Sequence, residues 1–257
     1  LLPFLDGQPD WEGFERSVRW MLSCAEAFGV EIAFVLNADT GYIFQLSEEL
    51  YAEVIRRFRA AFPEPTIICG ATAVGANGTT FRPEWYRPHL GIAQSFSNVE
   101  VMIMTSRLLN ELGDEARRDA YFEIAEMITV PGIVHALEPA FVPWATPYGP
   151  WLLHELAQHP KFIGGKISTL DEPHFLYWAA MCRDLGLPFA PHSGDDFGIA
   201  VHRAAEEEKP GMNRIGNQKA AFHCKCQSKW IQHVAGGRVG DLLIERKLAQ
   251  HQVGKLS

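Results

Sequence analysis

The residue with the clearest chemical meaning is a lysine near the end of an apolar, strand-like segment. The segment "FIGGKIS" (162–168) places Lys166 directly after two glycines. Lysine is rarely buried completely, and a desolvated lysine yields its proton more easily, so that the neutral amine can attack a ketone. The product is an imine, an electron sink for making or breaking carbon–carbon bonds. The alternative is a surface lysine paired with a carboxylate such as Asp171.

Other polar residues follow the ends of other apolar segments. If those segments are parallel strands, their carboxyl ends share the edge of the sheet at which α/β barrels carry their chemistry. The residues are Asn37, Asp39, Thr40, Thr72, Thr105, Ser106, Arg107, His135, Glu138, Ser168, His192, Ser193, Asp195 and Asp196. Four of them are possible metal ligands: His135, Glu138, His192 and Asp195. No pair has the tight spacing of a ligand motif, so the sequence predicts no metal site.

Apolar segments of strand length alternate with segments of helical period. The predicted strands lie at 31–38, 66–71, 99–105, 130–138, 162–168 and 187–193. The predicted helices lie at 47–62, 114–127, 150–159 and 172–185. Nearly continuous apolar strands are typical of a parallel sheet buried on both faces, and their alternation with helices indicates βαβ units.

These units predict an α/β fold, a (β/α)₈ TIM barrel over residues 1–215, followed by a short helical part at 216–257. The 257 residues suit a single barrel. Two strands are weakly marked, one ending in "LLPF" (1–4) and one at "GMNRIGN" (211–217). A doubly wound open sheet is the alternative, but no glycine-rich dinucleotide fingerprint follows an early strand.

Charge and composition narrow the possible partners and location. A net charge of −8 and a pI of about 5.7 argue against nucleic-acid binding. The sequence contains no run of 18 apolar residues, so it predicts no membrane-spanning helix. It also has no signal-peptide pattern. The five cysteines, an odd number, favour reduced thiols and a cytoplasmic protein.

Four segments, in this order, resemble those of a known family. They are "LLPFLDGQPDWEGF" (1–14), "NADTGYIFQLSEEL" (37–50), "FIGGKIS" (162–168) and "SGDD" (193–196). The family is that of dihydrodipicolinate synthase and N-acetylneuraminate lyase, which are class I aldolases. Its pattern has a Thr-Pro-Phe opening, a Gly-Thr-Thr-Gly-Glu loop before Leu-Ser-x-Glu-Glu, a strand Ile-x-Gly-x-Lys and a Ser-Gly-x-Asp segment. The resemblance covers roughly residues 1 to 200.

The resemblance implies a barrel with a small C-terminal helical part, assembled as a homotetramer or homodimer. It implies that Lys166 forms an imine with a 2-oxo acid, typically pyruvate, without any metal or organic cofactor. The substrate-binding residues implied by the matching segments are Asp39, Thr40, Ser168, Ser193 and Gly194.

The sequence also departs from the family pattern. Where the carboxylate-binding loop has two hydroxyl residues, this chain has Asp39 and Thr40, and Tyr42 replaces the loop glutamate. Thr40 can donate a hydrogen bond to a substrate carboxylate. Asp39 would repel one unless its side chain turns away.

A second departure concerns the tyrosine that shuttles protons from the fifth strand in the family. The corresponding segment is "ALEP" (136–139), which places Ala136 or Glu138 at the tyrosine position, and Phe141 replaces a following arginine. Glu138 is the predicted substitute acid/base, because burial raises the pKa of a carboxyl group. Tyr148, in the following loop, is another residue that could reach the site.

Three functions remain open from the sequence. The first is a Schiff-base lyase or aldolase with an altered substrate, in which Lys166 is the nucleophile and Glu138 moves protons. The second is a non-catalytic barrel that binds a small acid. The third is a metal-dependent hydrolase or isomerase built on the histidines and carboxylates at the strand ends.

Overall fold

The structure, a computed structural model, describes residues 2–74, 79–186 and 188–194. Its central feature is a six-stranded parallel sheet in which each strand pairs with the next one along the chain. The strands are β3 (Phe34–Leu36), β4 (Ile67–Ala71), β5 (Val99–Ile103), β6 (Gly132–Leu137), β7 (Phe162–Ser168) and β8 (Ala190–Ser193). A doubly wound sheet reverses its strand order at a switch point. The order of the described strands has no reversal and is that of a barrel.

Helices connect the strands and cover the sheet. They are α1 (Trp11–Phe28), α2 (Glu48–Ala61), α3 (Arg87–Ala93), α4 (Arg107–Asn110), α5 (Asp114–Glu126), α6 (Pro150–Gln158) and α7 (Glu172–Asp184), with 3₁₀ turns at Ile43–Gln45 and Pro83–Tyr86. The six predicted strands and four predicted helices are confirmed to within a few residues. Among the described residues, no helix combines the length and apolar character needed to cross a membrane.

The start of α2 shows how the sequence sets a helix boundary. The Ser47 hydroxyl accepts a hydrogen bond from the backbone N–H of Leu50 at 3.2 Å, and it thereby satisfies an N–H group that the helix leaves unpaired. Glu48 and Glu49 follow in the first turn, where the helix dipole favours negative charge. The helix then buries an apolar side that includes Phe58 against the sheet.

The first residues differ from the prediction of a barrel strand ending in "LLPF". Phe4–Leu5 (β1) pairs antiparallel with Gln8–Pro9 (β2), and this two-stranded unit is separate from the parallel sheet. Asp6 and Gly7 between them have φ values of 51° and 76°, as a type I′ hairpin turn requires. The Asp-Gly pair therefore turns the chain back before a long strand can form.

The remaining structural predictions lie outside the described residues. They are the eighth strand at 211–217 and the helical part at 216–257. The division into a barrel at 1–215 and a helical part therefore stays a prediction.

Candidate active site at Lys166

Lys166 lies near the carboxyl end of β7, in the middle of a row of side chains that crosses three strands. It pairs in register with His135 on β6 and with His192 on β8. Because side chains at the same level of neighbouring parallel strands point to the same face, the row belongs to one side of the sheet. The Lys166 side chain is 21% exposed, so its amine is largely but not wholly removed from water.

The two glycines before Lys166 are required by close packing on both faces of β7. A Cβ atom at Gly164 would lie 2.8 Å from Nε2 of His192, on the face of Lys166. A Cβ atom at Gly165 would lie 2.8 Å from the indole of Trp178, a residue of α7 on the other face. The glycines thus admit an imidazole beside the lysine and a helix behind it.

The loop after β3 is held by contacts that fix its direction. Asn37 has a φ of 51°, and its side-chain amide donates to the carbonyl of Tyr51 at 3.0 Å. The Tyr51 hydroxyl in turn donates to the carbonyl of Gly70 on β4 at 2.7 Å. A Cβ atom at Gly70 would lie 2.2 Å from the carbonyl oxygen of Asn37, so the loop can cross β4 only because this residue is glycine. The crossing brings Asp39 into the site.

Asp39 is the ion-pair partner of Lys166. Each of its carboxylate oxygens lies 3.2 Å from Nζ of Lys166, although the residues are 127 positions apart. The side chain of Asp39 is 27% exposed, so the pair is mostly shielded from solvent. The alternative in which Lys166 pairs with Asp171 is not found, because the Asp171 carboxylate accepts from the backbone N–H of His174 at 3.5 Å and caps α7.

The pair sets the charges in the site. Burial alone would raise the pKa of Asp39, but the charge of Lys166, the proximity of His135 and the backbone N–H of Thr40 together lower it. Asp39 is therefore an anion at neutral pH. Complete burial, and to a lesser extent the charge of Lys166, lower the pKa of His135 from 6.5 to about 3, against the opposing effect of Asp39. His135 is therefore a neutral imidazole.

Two more of the predicted substrate-binding residues lie at the lysine. The Ser168 hydroxyl is buried and lies 3.4 Å from Nε2 of His135, which in turn lies 3.8 Å from the Asp39 carboxylate. Gly194 donates its N–H to the carbonyl of Ile167 at 2.7 Å, and a Cβ atom added to it would lie 3.0 Å from Cε of Lys166. Glycine at this position therefore lets the chain pass directly over the lysine side chain.

The remaining two predicted residues have different orientations. Thr40 is exposed, and its contribution to the described contacts is the N–H that it offers to Asp39. Ser193 pairs in register with Ile167, so strand alternation places it on the face opposite Lys166.

Glu138 lies just after β6, and its carboxylate contacts residues behind β7. One oxygen accepts a hydrogen bond from the hydroxyl of Thr169, and the other lies 3.3 Å from Nδ1 of His174 on α7. Nε2 of His174 accepts from the indole of Trp178 at 2.8 Å, which leaves Nδ1 to face the carboxylate. The described contacts therefore join Glu138 to α7 rather than to Lys166, and its acid/base role stays a prediction.

Tyr148 belongs to a buried polar cluster between β5, β6 and α5. Its hydroxyl lies 2.6 Å from that of Tyr121, 3.4 Å from the carbonyl of His135 and 3.5 Å from the hydroxyl of Thr105. These contacts connect it to the backbone of the His135 strand and to a helix, and none of them involves Lys166. Burial raises the pKa of Tyr148, so the phenol keeps its proton.

The side chains named for the metal-dependent alternative do not form a cluster in the described part of the chain. No group of three or more histidine, cysteine, aspartate or glutamate side chains there is arranged to hold a metal ion. His135 faces Asp39 while Glu138 faces His174. Asp195, the fourth member of that set, lies outside the described residues.

Sequence reasoning did not find the pairing of Asp39 with Lys166 or the place of His135 beside it. The sequence predicts that Asp39 either binds a substrate carboxylate or turns away from it, and it offers His135 only as a possible metal ligand. A signal for His135 was present, since it is a histidine inside a run of apolar residues on a central strand. No local signal could have revealed a contact over 127 positions.

Several solved structures have a fold similar to that of this chain, and they are dihydrodipicolinate synthases. The one from Thermotoga maritima is 18% identical, with a TM-score of 0.67 over 97% of this chain and 78% of that chain. The chloride-inhibited enzyme from Acinetobacter baumannii, complexed with pyruvate, is 19% identical, with a TM-score of 0.64 over 99% of this chain and 86% of that chain. Another is 18% identical with a TM-score of 0.62 over 79% of this chain, and the match spans 65% of its length.

No protein-family model matches the sequence, and no curated protein sequence matches it. At these identities the likeness establishes the architecture and leaves the reaction to be argued from the site. The described strand order and the structural neighbours confirm the predicted α/β barrel. This chain therefore has the fold of the dihydrodipicolinate synthases.

Proposed function

We propose that the protein is a Schiff-base-forming lyase or aldolase in which Lys166 attacks the carbonyl carbon of a small substrate. The observation that carries this proposal is the position of the Lys166 amine. It lies on a central strand of the barrel sheet, 21% exposed, with a carboxylate at 3.2 Å and a neutral imidazole in the same row. An amine that is largely removed from water is suited to imine chemistry.

The ion pair supplies the group that an amine needs before it can react. An ammonium ion must lose a proton to become a nucleophile, and the nearest acceptor is the Asp39 carboxylate. After attack and loss of water, the protonated imine again carries a positive charge, which Asp39 can stabilise. Asp39 and Glu138 are therefore both candidates for the acid/base role that a strand tyrosine has in the family and that no tyrosine fills at that position here.

The site identifies the nucleophile more directly than it identifies the substrate. The resemblance implies a 2-oxo acid of the pyruvate type, and one structural neighbour is complexed with pyruvate. We propose only that the substrate has a carbonyl group that Lys166 can attack. A 2-oxo acid is one kind of carbonyl compound to be tested. A homodimer or homotetramer, implied by the same resemblance, is likewise proposed.

One observation favours a second candidate, a barrel that binds a small molecule without turning it over. In the structure both oxygens of Asp39 contact the Lys166 amine at 3.2 Å, so the amine is held in an ion pair. A binder needs only a charged pocket, whereas a catalyst must also move a proton.

Exchange of hydrogen at the carbon next to the carbonyl separates the two functions. Imine formation acidifies that carbon, so a catalyst should transfer deuterium from heavy water into pyruvate or another small ketone, as followed by proton NMR. We expect exchange with the wild type and none with Lys166→Arg. Lys161→Arg is the matched control, because Lys161 precedes the same strand and donates instead to the carbonyl of Ile128. Equal exchange by wild type and Lys166→Arg would refute the proposal.

The same assay tests the two acid/base candidates. If Glu138 moves the proton, Glu138→Gln should abolish exchange while Lys166 still forms an imine. If Asp39 moves it, Asp39→Asn should have that effect.

A further inference from the structure

The charge next to the Lys166 amine constrains the chemical class of the substrate. The described ion pair at the site joins one lysine, Lys166, to one carboxylate, Asp39, at 3.2 Å. His135, whose Nε2 lies 3.8 Å from the carboxylate, is a neutral imidazole. Among the described residues, no arginine or second lysine forms an ion pair with Asp39.

Imine formation leaves this charge balance unchanged. The ammonium of Lys166 and a carbonyl compound give a protonated imine and water: the C–N bond forms, the C=O bond breaks, and two of the three ammonium protons leave with the oxygen. The nitrogen keeps its third proton and its positive charge. Asp39 is therefore a sufficient counter-ion both before and after the reaction.

A 2-oxo acid would disturb the balance. Its carboxylate is bonded to the carbonyl carbon, so that its oxygens lie within about 4 Å of the imine nitrogen. Two carboxylates would then face one cation at a site where the Lys166 and Asp39 side chains are only 21% and 27% exposed, and like charges in such a site repel strongly. The backbone N–H of Thr40, which could bind a substrate anion, already donates to Asp39.

We propose that the substrate of this site is a small aldehyde or ketone with no carboxylate on its carbonyl carbon, because the Asp39 carboxylate already lies 3.2 Å from the Lys166 amine as its counter-ion. The inference rests on the proposed imine chemistry of Lys166 and specifies the substrate class. Neutral polar groups such as a hydroxyl or an amide fit the site, since they can donate a hydrogen bond to Asp39. Asp39 thus selects against 2-oxo acids by repulsion.

The test compares pyruvate with pyruvamide, which have nearly the same shape and differ in charge. Each compound is incubated with the full-length protein and reduced with cyanoborohydride, and the adduct on Lys166 is quantified by peptide mass spectrometry. Yields are divided by those of a free lysine derivative, which corrects for intrinsic reactivity. We expect wild type to prefer pyruvamide by about tenfold or more. In Asp39→Asn the corrected preference should fall to about threefold or less, because the repelling charge is gone.

The outcomes separate this inference from the proposed function. A Lys166 adduct that forms equally well or better with pyruvate in the wild type would overturn the substrate class and leave the imine chemistry intact. A preference for pyruvamide that persists in Asp39→Asn, and in Asp39→Thr as a second folded variant, would overturn the role of Asp39. No Lys166 adduct with either compound in any of the three proteins would overturn both proposals.

Discussion

Both carboxylate oxygens of Asp39 lie 3.2 Å from the amine of Lys166, so the loop after β3 reaches the side chain of a residue on β7. This contact joins two strands that are not neighbours in the sheet, because β4, β5 and β6 lie between them. Such a contact across the interior is possible when a parallel sheet curls and the ends of distant strands approach each other, as in a barrel. The same pair carries the proposed chemistry and the proposed substrate selection.

Replacing Asp39 with asparagine should lower stability at neutral pH and make it less dependent on acid. The substitution leaves the Lys166 charge largely shielded without a partner, which costs about 1–2 kcal/mol. Because the folded state lowers the pKa of Asp39, its contribution is present above the unfolded pKa of about 3.9 and is lost as the pH falls below it. Urea unfolding at pH 7 and pH 3 should therefore show a difference in stability between the two proteins that is smaller at pH 3. A difference that stays constant would contradict the ion pair.

His135 should make the stability of the protein depend on pH in a higher pH range than Asp39 does. Its pKa in the folded protein is about 3, against about 6.5 when unfolded, so the unfolded state binds more protons between these values. Stability should therefore fall as the pH decreases below about 6.5, by up to about 1.4 kcal/mol per pH unit. In His135→Gln this contribution disappears, whereas that of His89, whose pKa burial also lowers, remains in both proteins. Identical pH profiles of unfolding would contradict the buried neutral imidazole.

Gly165→Ala should destabilise the packing of α7 against β7. The new methyl group would lie 2.8 Å from the indole of Trp178 and 3.0 Å from the ring of Phe189, so the helix or the strand must shift. We expect a loss of about 1–3 kcal/mol in the free energy of unfolding. Gly91→Ala is the matched control, because that glycine lies in α3 with open space around it, and alanine should stabilise the helix by about 0.5–1 kcal/mol. Equal effects at the two positions would contradict the described packing.

Tyr148→Phe should affect stability but leave imine formation at Lys166 intact. It removes the hydroxyl that bonds to Tyr121 at 2.6 Å and leaves buried partners unsatisfied, at a cost of about 1–2 kcal/mol. Tyr177→Phe, at an exposed position, should be nearly neutral. The readouts are thermal unfolding and reductive trapping with a small ketone. A loss of trapping in folded Tyr148→Phe would instead place this phenol in the catalytic site.

The strands and helices could be predicted because their signals are local. Continuous apolar runs marked all six strands of the sheet, and Ser47 followed by two glutamates marked the start of α2. The apolar run "LLPF" predicts the end of a barrel strand, whereas the structure has a hairpin there, for which the Asp6–Gly7 pair is a strong turn signal. The importance of Lys166 was recognised from its two glycines, and the structure gives each glycine a specific neighbour.

The contents of the site were harder to predict than its location. Asp39 and Glu138 are both carboxylates at strand ends, and nothing in their local sequence shows that one faces Lys166 and the other faces His174. That difference depends on two features of the folded chain. The loop after β3 crosses β4 at Gly70, and the chain after Leu137 places Glu138 on the side of β7 that faces α7. Both are properties of the assembled sheet.

The nucleophilic role of Lys166 is tested most directly by reductive trapping with a panel of small aldehydes, ketones and 2-oxo acids, followed by localisation of the adduct. Peptide mass spectrometry of wild type, Lys166→Arg and Lys161→Arg identifies the modified side chain. The account predicts a reduced adduct on Lys166 in the wild type and in Lys161→Arg, and none at residue 166 in Lys166→Arg. An unmodified Lys166 across the whole panel, with the protein shown to be folded, would contradict it.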